Sequence, residues 1–366
     1  MKTPVFLENL FSRNVPKSRN LNLLVTLWPT FPHFARFTHD PRIAGVRLNS
    51  AMIASPELDE ALRQVGALDT MEHLWFDFKG RQLRVAEVHT NEYHLDITLN
   101  HPIKVDTPTI VLFKAGADSA VLDCITENGT RLIFKEGAIY GPKKFMVGVG
   151  ESLHIRHPSF QMLGNDFSQS ELEKIEKVRQ FGFTQYYLSY VETRNGINKF
   201  IETVGQDARI KLKIETRAGL EFVAHEFKKT ENLSLMAACG DLYVEIEKPH
   251  HIMDALKLII GKDPEACAGS RLMLSVGQPL ATDVKKAIEH LQKIGENAPI
   301  DTDEIKEMLK NLTEPQIPSC ADFLQLSWLY DIGYRSMMLC DELCLRENLL
   351  AVAVNAFDAF RNAHAK

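Results

Sequence analysis

The chain has 366 residues, 45% hydrophobic and 25% charged, with a net charge of −6; this is ordinary for a globular protein of one large or several smaller domains, and it argues against a broad nucleic-acid-binding surface. No apolar run approaches the length of a membrane span, and the N-terminal segment, with charges inside its short apolar patch, is not a convincing signal peptide. Six scattered cysteines without a C-x-x-C pair fit buried thiols in a reducing, cytoplasmic setting.

Residues 5–11 read as a lead-in helix. Leu21–Leu27, Gly45–Asn49 and Leu74–Phe78 read as three buried strands, and Ser55-Pro56-Glu57 opens a helix between the second and third. From Val85 to about Pro158 the pattern changes to short alternating stretches broken by Gly, Asn, Asp and Pro turns, the signature of a small all-β module. Helix returns over Ser168–Phe181, with a serine cap, acidic residues in its first turn and basic ones in its last. Strands over Gln185–Ser189, Ile210–Glu215, Leu233–Ala237, Arg271–Ser275 and Ser336–Leu339 then alternate with helices, including a long broken one over Leu280–Leu312, one from Ser319 and one over Glu347–His364. Outside the module this makes eight strands, most followed by a helix. The spacing predicts an α/β fold, a (β/α)8 TIM barrel with a β-rich lid domain inserted after its third strand: barrel residues 1–84, insert 85–158, barrel residues 159–366.

The most informative stretch is Ile210–Thr216, I-K-L-K-I-E-T, which as a strand sets Lys211, Lys213 and Glu215 on one face. With Asp241 at the end of the next strand, an ammonium and two carboxylates can hold Mg2+ and an anionic oxygen together. The competing reading is a solvated Lys213–Glu215 salt bridge and an Asp241 that caps the next element. In a barrel, Arg47, Asn49, Asp77, Lys213, Glu215 and Asp241 all fall toward the C-terminal strand ends, where such barrels carry their active sites.

Several motifs, in order, resemble the pyruvate kinase family. V-R-L-N (46–49) resembles its A-R-L-N-F-S-H-G, and F-D-F-K-G-R-Q-L-R (76–84) its L-D-T-K-G-P-E-I-R. K-I-E-T (213–216) resembles S-K-I-E-N, A-A-C-G-D-L-Y-V-E (237–245) resembles V-A-R-G-D-L-G-V-E, and P-S-C-A-D (318–322) with M-M-L-C-D-E (337–342) resembles P-T-R-A-E with M-L-S-G-E-T. The resemblance covers nearly the whole chain at low identity and implies a phosphotransferase acting on phosphoenolpyruvate or a related enol phosphate with Mg2+ (or Mn2+) and a nucleotide. It implies Lys213 as the catalytic lysine, aided by Arg47, and Glu215 and Asp241 as metal ligands. Arg47, Arg84, Gly240 and Ser275 would contact substrate or phosphate, and Asn49 and Asp77 a monovalent cation. No nucleic-acid or membrane partner is implied, and a homo-oligomer is allowed.

The departures bear on function. Ala51 and Met52 stand where the family has Ser and His, and Phe78 replaces a threonine, which weakens the implied K+ site. Cys239 replaces an arginine, and the seventh-strand threonines are reduced to something like Met273 and Ser275. The alternatives are therefore a lyase or aldolase on the same barrel, or a pyruvate kinase-like pseudoenzyme. Lys213→Ala is expected to abolish transfer and spare the fold, on the premise that the lysine sits at the barrel mouth.

Overall fold

Apolar runs that are buried on both faces pair side by side and in parallel. Chain order gives β1 (Asn22–Thr26), β2 (Ile43–Asn49) and β3 (Leu74–Phe78). There follow β4 (Val85–His89), β5 (Asp96–Leu99), β6 (Ile103–Lys104), β7 (Thr109–Phe113), β8 (Asp118–Thr126), β9 (Arg131–Phe134), β10 (Leu153–His154) and β11 (Gln161–Met162). The last five are β12 (Gln185–Leu188), β13 (Arg209–Ile214), β14 (Leu233–Ala238), β15 (Cys267–Leu272) and β16 (Ser336–Leu339). Strands β1–β3 and β12–β16 close into a barrel in chain order, all parallel, with β16 returning to β1. The computed structural model describes residues 21–50, 57–67, 71–89, 94–113, 116, 118–135, 147–246, 248–278, 314 and 317–364, with isolated positions between 284 and 310. The helices expected over 5–11 and most of 280–312, the Ser55-Pro56 cap, and Ala51 and Met52 lie outside the described residues.

Helices α1 (Phe34–Thr38), α2 (Leu58–Gly66), α3 (Gln169–Gln180), α4 (Arg194–Val204), α5 (Arg217–His225), α6 (Cys239–Glu245), α7 (Ile252–Lys262), α8 (Cys320–Asp331), α9 (Asp341–Cys344) and α10 (Glu347–His364) complete the chain. Several begin on side-chain caps. Ser168, Thr193 and Thr216 accept from the backbone of Glu171, Gly196 and Gly219, and Ser319 forms a capping box with Asp322.

The barrel has two apolar layers. Its interior is plugged by Leu24, Trp75, Tyr187, Met236, Cys267 and Met338, and a larger core fills the space between strands and helices. Gly45 makes room for the plug, since a Cβ there would stand 2.8 Å from Leu24 and 3.5 Å from Trp75. Side chains on β2 and β13 that point inward above the plug cannot be apolar without sealing the mouth, and there the sequence turns to Arg47, Asn49, Lys213 and Glu215.

Strands β4–β11 join no barrel strand among the described residues. They form a six-stranded sheet, ordered β10-β7-β8-β9-β5-β4, and a β6–β11 pair. Their core is separate, built on residues such as Val85, Ile97, Val111, Phe113, Leu122 and Phe134. These strands follow β3 in the chain, and their pairing runs to Met162. The seventh barrel strand differs from expectation: it spans Cys267–Leu272, not Arg271–Ser275. Residues 274–277 are a 3-10 turn entered through Met273 in the left-handed region.

Candidate functional site

The alternation along β13 places Lys213 and Glu215 inside the barrel, where they are buried rather than solvated (4% and 0% exposed). Lys213 Nζ lies 2.8 Å from Glu215 Oε1, 3.5 Å from Asp77 Oδ2, and donates to Ser189 Oγ at 2.7 Å. Ser189 in turn donates to Asp77 Oδ1 at 3.2 Å. Asp77, at the end of β3, also takes Lys79 Nζ at 2.8 Å and faces Arg47 Nε at 3.6 Å. Burial alone would push the Asp77 carboxyl up, but Lys213, Lys79 and Arg47 override it and hold the group well below the usual carboxylate range. Burial would likewise push Lys213 down, yet Asp77 and Glu215 keep it above its ordinary value. Glu215 is raised by burial, opposed by Lys213, and raised further by the nearby Asp241 charge.

Asp241 lies in the first turn of α6, one residue past the short Cys239-Gly240 start of that helix, and not on a strand. One turn on, Glu245 Oε1 is 2.7 Å from His154 Nδ1, while His154 Nε2 stands 3.6 Å from Asp241 Oδ1. His154 belongs to β10, so the inserted sheet delivers an imidazole with no exposed surface to the barrel mouth. Burial would lower its pKa, but Glu245, Asp241 and Glu215 together raise it. Tyr190 completes the group: its hydroxyl is 3.3 Å from His154 Nδ1, and its backbone N–H donates to Glu215 Oε2 at 2.6 Å. That grip holds Tyr190 at φ +53°, a conformation an aromatic residue adopts only under constraint and one that gathers at functional sites.

The other expected residues divide. Arg47 is brought to the site, but its guanidinium is engaged by Asp341, which also accepts from Thr26 Oγ1 at 3.1 Å and Asn49 Nδ2 at 3.4 Å. Gly240 lies beside Asp241 in the first turn of α6. Arg84 turns into the inserted segment, donating to Gly150 O at 2.5 Å and to Gln82 Oε1. Ser275 donates to Asp322 Oδ2 and accepts from Ser319 N at 3.0 Å, which ties the turn after β15 to the start of α8.

Glu215 and Asp241 offer carboxylate oxygens of the kind Mg2+ or Mn2+ takes, and Glu215 Oε1 would exchange its Lys213 contact for such an ion. The Asp241 charge raises the proton affinity of Glu215, and a divalent ion would relieve that repulsion. Among the described residues no three of His, Cys, Asp or Glu form a cage for an ion; Mg2+ needs none, since it keeps waters and substrate oxygens beside one or two carboxylates. The residues do not fit a monovalent cation. Lys79 and Ser189 take the Asp77 oxygens, and Phe78 packs on Phe76 and Tyr186 in the core; the Asn49 amide N–H donates to Asp341.

Lys79, Ser189, Tyr190, His154 and Asp341 are the members that sequence reasoning missed. Lys79 is set by the turn after β3, where Glu171 Oε1 accepts from the backbone N–H groups of Lys79 and Gly80, the latter at 3.1 Å. Gly80 has φ +51°, and a Cβ there would stand 3.2 Å from Ser189 O. Burial pushes the Glu171 carboxyl up to about 7, against the pull of these two N–H donors. The folded state thus binds a proton the unfolded chain releases, so stability falls as pH rises from about 4.5 to about 7 and stays reduced above it. Glu171→Gln keeps the acceptor without the charge. It is expected to match the parent near pH 4 and exceed it by about 3 kcal/mol at pH 8, read from urea midpoints at the two pH values; an unchanged difference would contradict the assignment.

No protein-family model matches the chain, and no curated protein matches its sequence.

Proposed function

We propose that the chain is a pyruvate kinase-like phosphotransferase acting on phosphoenolpyruvate or a related enol phosphate, with Mg2+ and a nucleotide. The observation that carries this reading is the Lys213–Glu215 contact of 2.8 Å at the C-terminal mouth of a parallel barrel, with Asp241 adjoining. Glu215 and Asp241 would hold the divalent ion, which when bound neutralises charge on the phosphoryl oxygens. Lys213 lies where its ammonium can lean from Glu215 toward a developing enolate or phosphoryl oxygen, and Ser189 and Asp77 fix its direction. Tyr190 N–H orients Glu215. Arg47 would reach a phosphate by exchanging Asp341 for it, a bidentate exchange suited to guanidinium. In this reading the all-β insert acts as a lid over the mouth.

One observation favours a second reading, a non-catalytic relative. Arg47, Lys79 and Lys213 are each buried and already paired with a carboxylate of the chain, and Phe78 and Cys239 fill positions where the family has polar ligands. A coupled assay of pyruvate release from phosphoenolpyruvate with Mg2+ and a nucleoside diphosphate separates the two. The phosphotransferase reading expects turnover that is lost in Glu215→Gln; no turnover in the parent chain favours the second.

A further inference from the structure

We propose that the end of the barrel opposite the mouth holds a binding site for a small polyanion, a phosphate ester or polycarboxylate whose charged oxygens are taken by Lys211, Arg209 and Arg335. The site is independent of the metal reading at Glu215 and Asp241.

The alternation along β13 that turns Lys213 and Glu215 inward above the plug turns Lys211 inward below it. The Lys211 ammonium lies 4.6 Å from the centre of the Trp75 ring, the underside of the plug, and the Arg209 guanidinium stands 5.5 Å from the same ring. Both face a cavity of about 570 Å3 at the N-terminal ends of β1, β13, β14 and β16, which Lys229 and Arg335 also line; small-molecule sites commonly have this size. Against these four cations the wall sets Glu231 and Glu265. Only Lys229 is paired with carboxylates among the described residues, at 2.9 Å to Glu265 and 3.5 Å to Asp263. The other three meet neutral acceptors. Lys211 reaches Ser234 Oγ at 3.5 Å, Arg209 donates to Gln185 Oε1 at 3.3 Å, and Arg335 donates from Nη1 to the carbonyls of Tyr330 and Tyr334 at 2.7 and 2.9 Å.

Burial lowers the Lys211 pKa, and the Arg209 and Lys229 charges press the same way, against Cys267 and Asp263. An ammonium half-buried with no counter-charge of its own costs stability, so packing gives no reason for a lysine on the inner face here, across from Tyr187 and Ser234. An anion in the cavity supplies the charge that the chain leaves out. Both Arg335 bonds leave from Nη1, so the rest of its planar fork is turned to no acceptor among the described residues and suits paired oxygens of a phosphate or carboxylate.

Calorimetric titration of inorganic pyrophosphate and of citrate into the full chain, in about 0.15 M salt to screen diffuse surface attraction and free of divalent ions, tests this. At least one of the two anions is expected to bind at one site per chain. Lys211→Met, which keeps an unbranched side chain on Trp75, is expected to weaken that binding about tenfold or more, and Arg209→Gln to weaken it as well. Loss of the Lys211 charge strands no carboxylate, so the urea midpoint of Lys211→Met should equal or exceed the parent's; Arg209→Gln, at an exposed position, carries the test if it does not. Pyrophosphate binding without citrate binding assigns a phosphate ester, and the reverse a polycarboxylate. No binding of either anion, or binding that neither substitution weakens, overturns the inference and leaves the metal reading at the mouth untouched.

Discussion

Lys213→Met is expected to destabilise the protein by about 3–5 kcal/mol, because it leaves the buried Glu215 carboxylate without its counter-charge and takes from Asp77 one of its three cations. The lysine is 4% exposed and stands 2.8 Å from Glu215 and 3.5 Å from Asp77. This corrects the expectation that its removal would spare the fold. The strand places it at the mouth of the barrel but beneath the rim, enclosed by its own partners. Removing the charge of Glu215 as well should recover part of the loss, so Lys213→Met with Glu215→Gln is expected to cost less than the sum of the two single changes. Urea midpoints of the four chains measure the coupling. Additive losses, or a Lys213→Met midpoint equal to the parent's, would show that the ammonium is solvated and the site is not assembled as described.

Asp77→Asn should have an effect of similar size for the opposite reason. It takes from Lys79 the carboxylate it is paired with and leaves Lys213 and Arg47 to Glu215 and Asp341, again at a cost of about 3–5 kcal/mol. The pH dependence gives a second signature. Asp77 is held far below its ordinary value in the folded state, so its contribution is complete above the unfolded value of about 3.9 and is lost as pH falls toward the folded one. The parent is therefore expected to lose stability steeply between about pH 4 and pH 2, and Asp77→Asn to lose less over that interval. Parallel acid profiles for the two chains would place the acid sensitivity elsewhere.

Much of the barrel was legible because its strands advertise themselves. Leu74–Phe78 and Ser336–Leu339 are apolar and bounded by turns or polar residues, and both fall where expected. The seventh strand was not legible. Cys267–Leu272 reads C-A-G-S-R-L, poor in β-branched and aromatic residues, since it must lie against its neighbour: a Cβ on Gly269 would meet Met338 at 2.5 Å. Packing selected small residues there, and the strand signal moved to the turn that follows.

The site divides in the same way. Lys213 and Glu215 were found because period-2 alternation sets charges on one face of a strand, and Asp77 and Arg47 because they fall toward strand ends, though the sequence does not say that these side chains look into a barrel. Asp241 was expected at the end of a strand and lies instead in a helix, because Cys239-Gly240 ends the strand and starts a helix without a side-chain cap. His154, Ser189 and Tyr190 carried no local signal. Their contacts join residues 91, 24 and 25 positions apart, and only closure of the barrel and docking of the insert bring them together. His154 offered one hint, a single imidazole in the apolar run Leu153–Ile155 at the end of the all-β segment.

Glu215 and Asp241 are proposed to share one divalent ion next to Lys213. Oxalate is a planar mimic of an enolate, and its calorimetric titration into the full chain with and without Mg2+ addresses that claim directly. Oxalate binding is expected to require Mg2+ and to disappear in both Glu215→Gln and Asp241→Asn. Oxalate binding that is indifferent to Mg2+, or that survives in either variant, would contradict that claim.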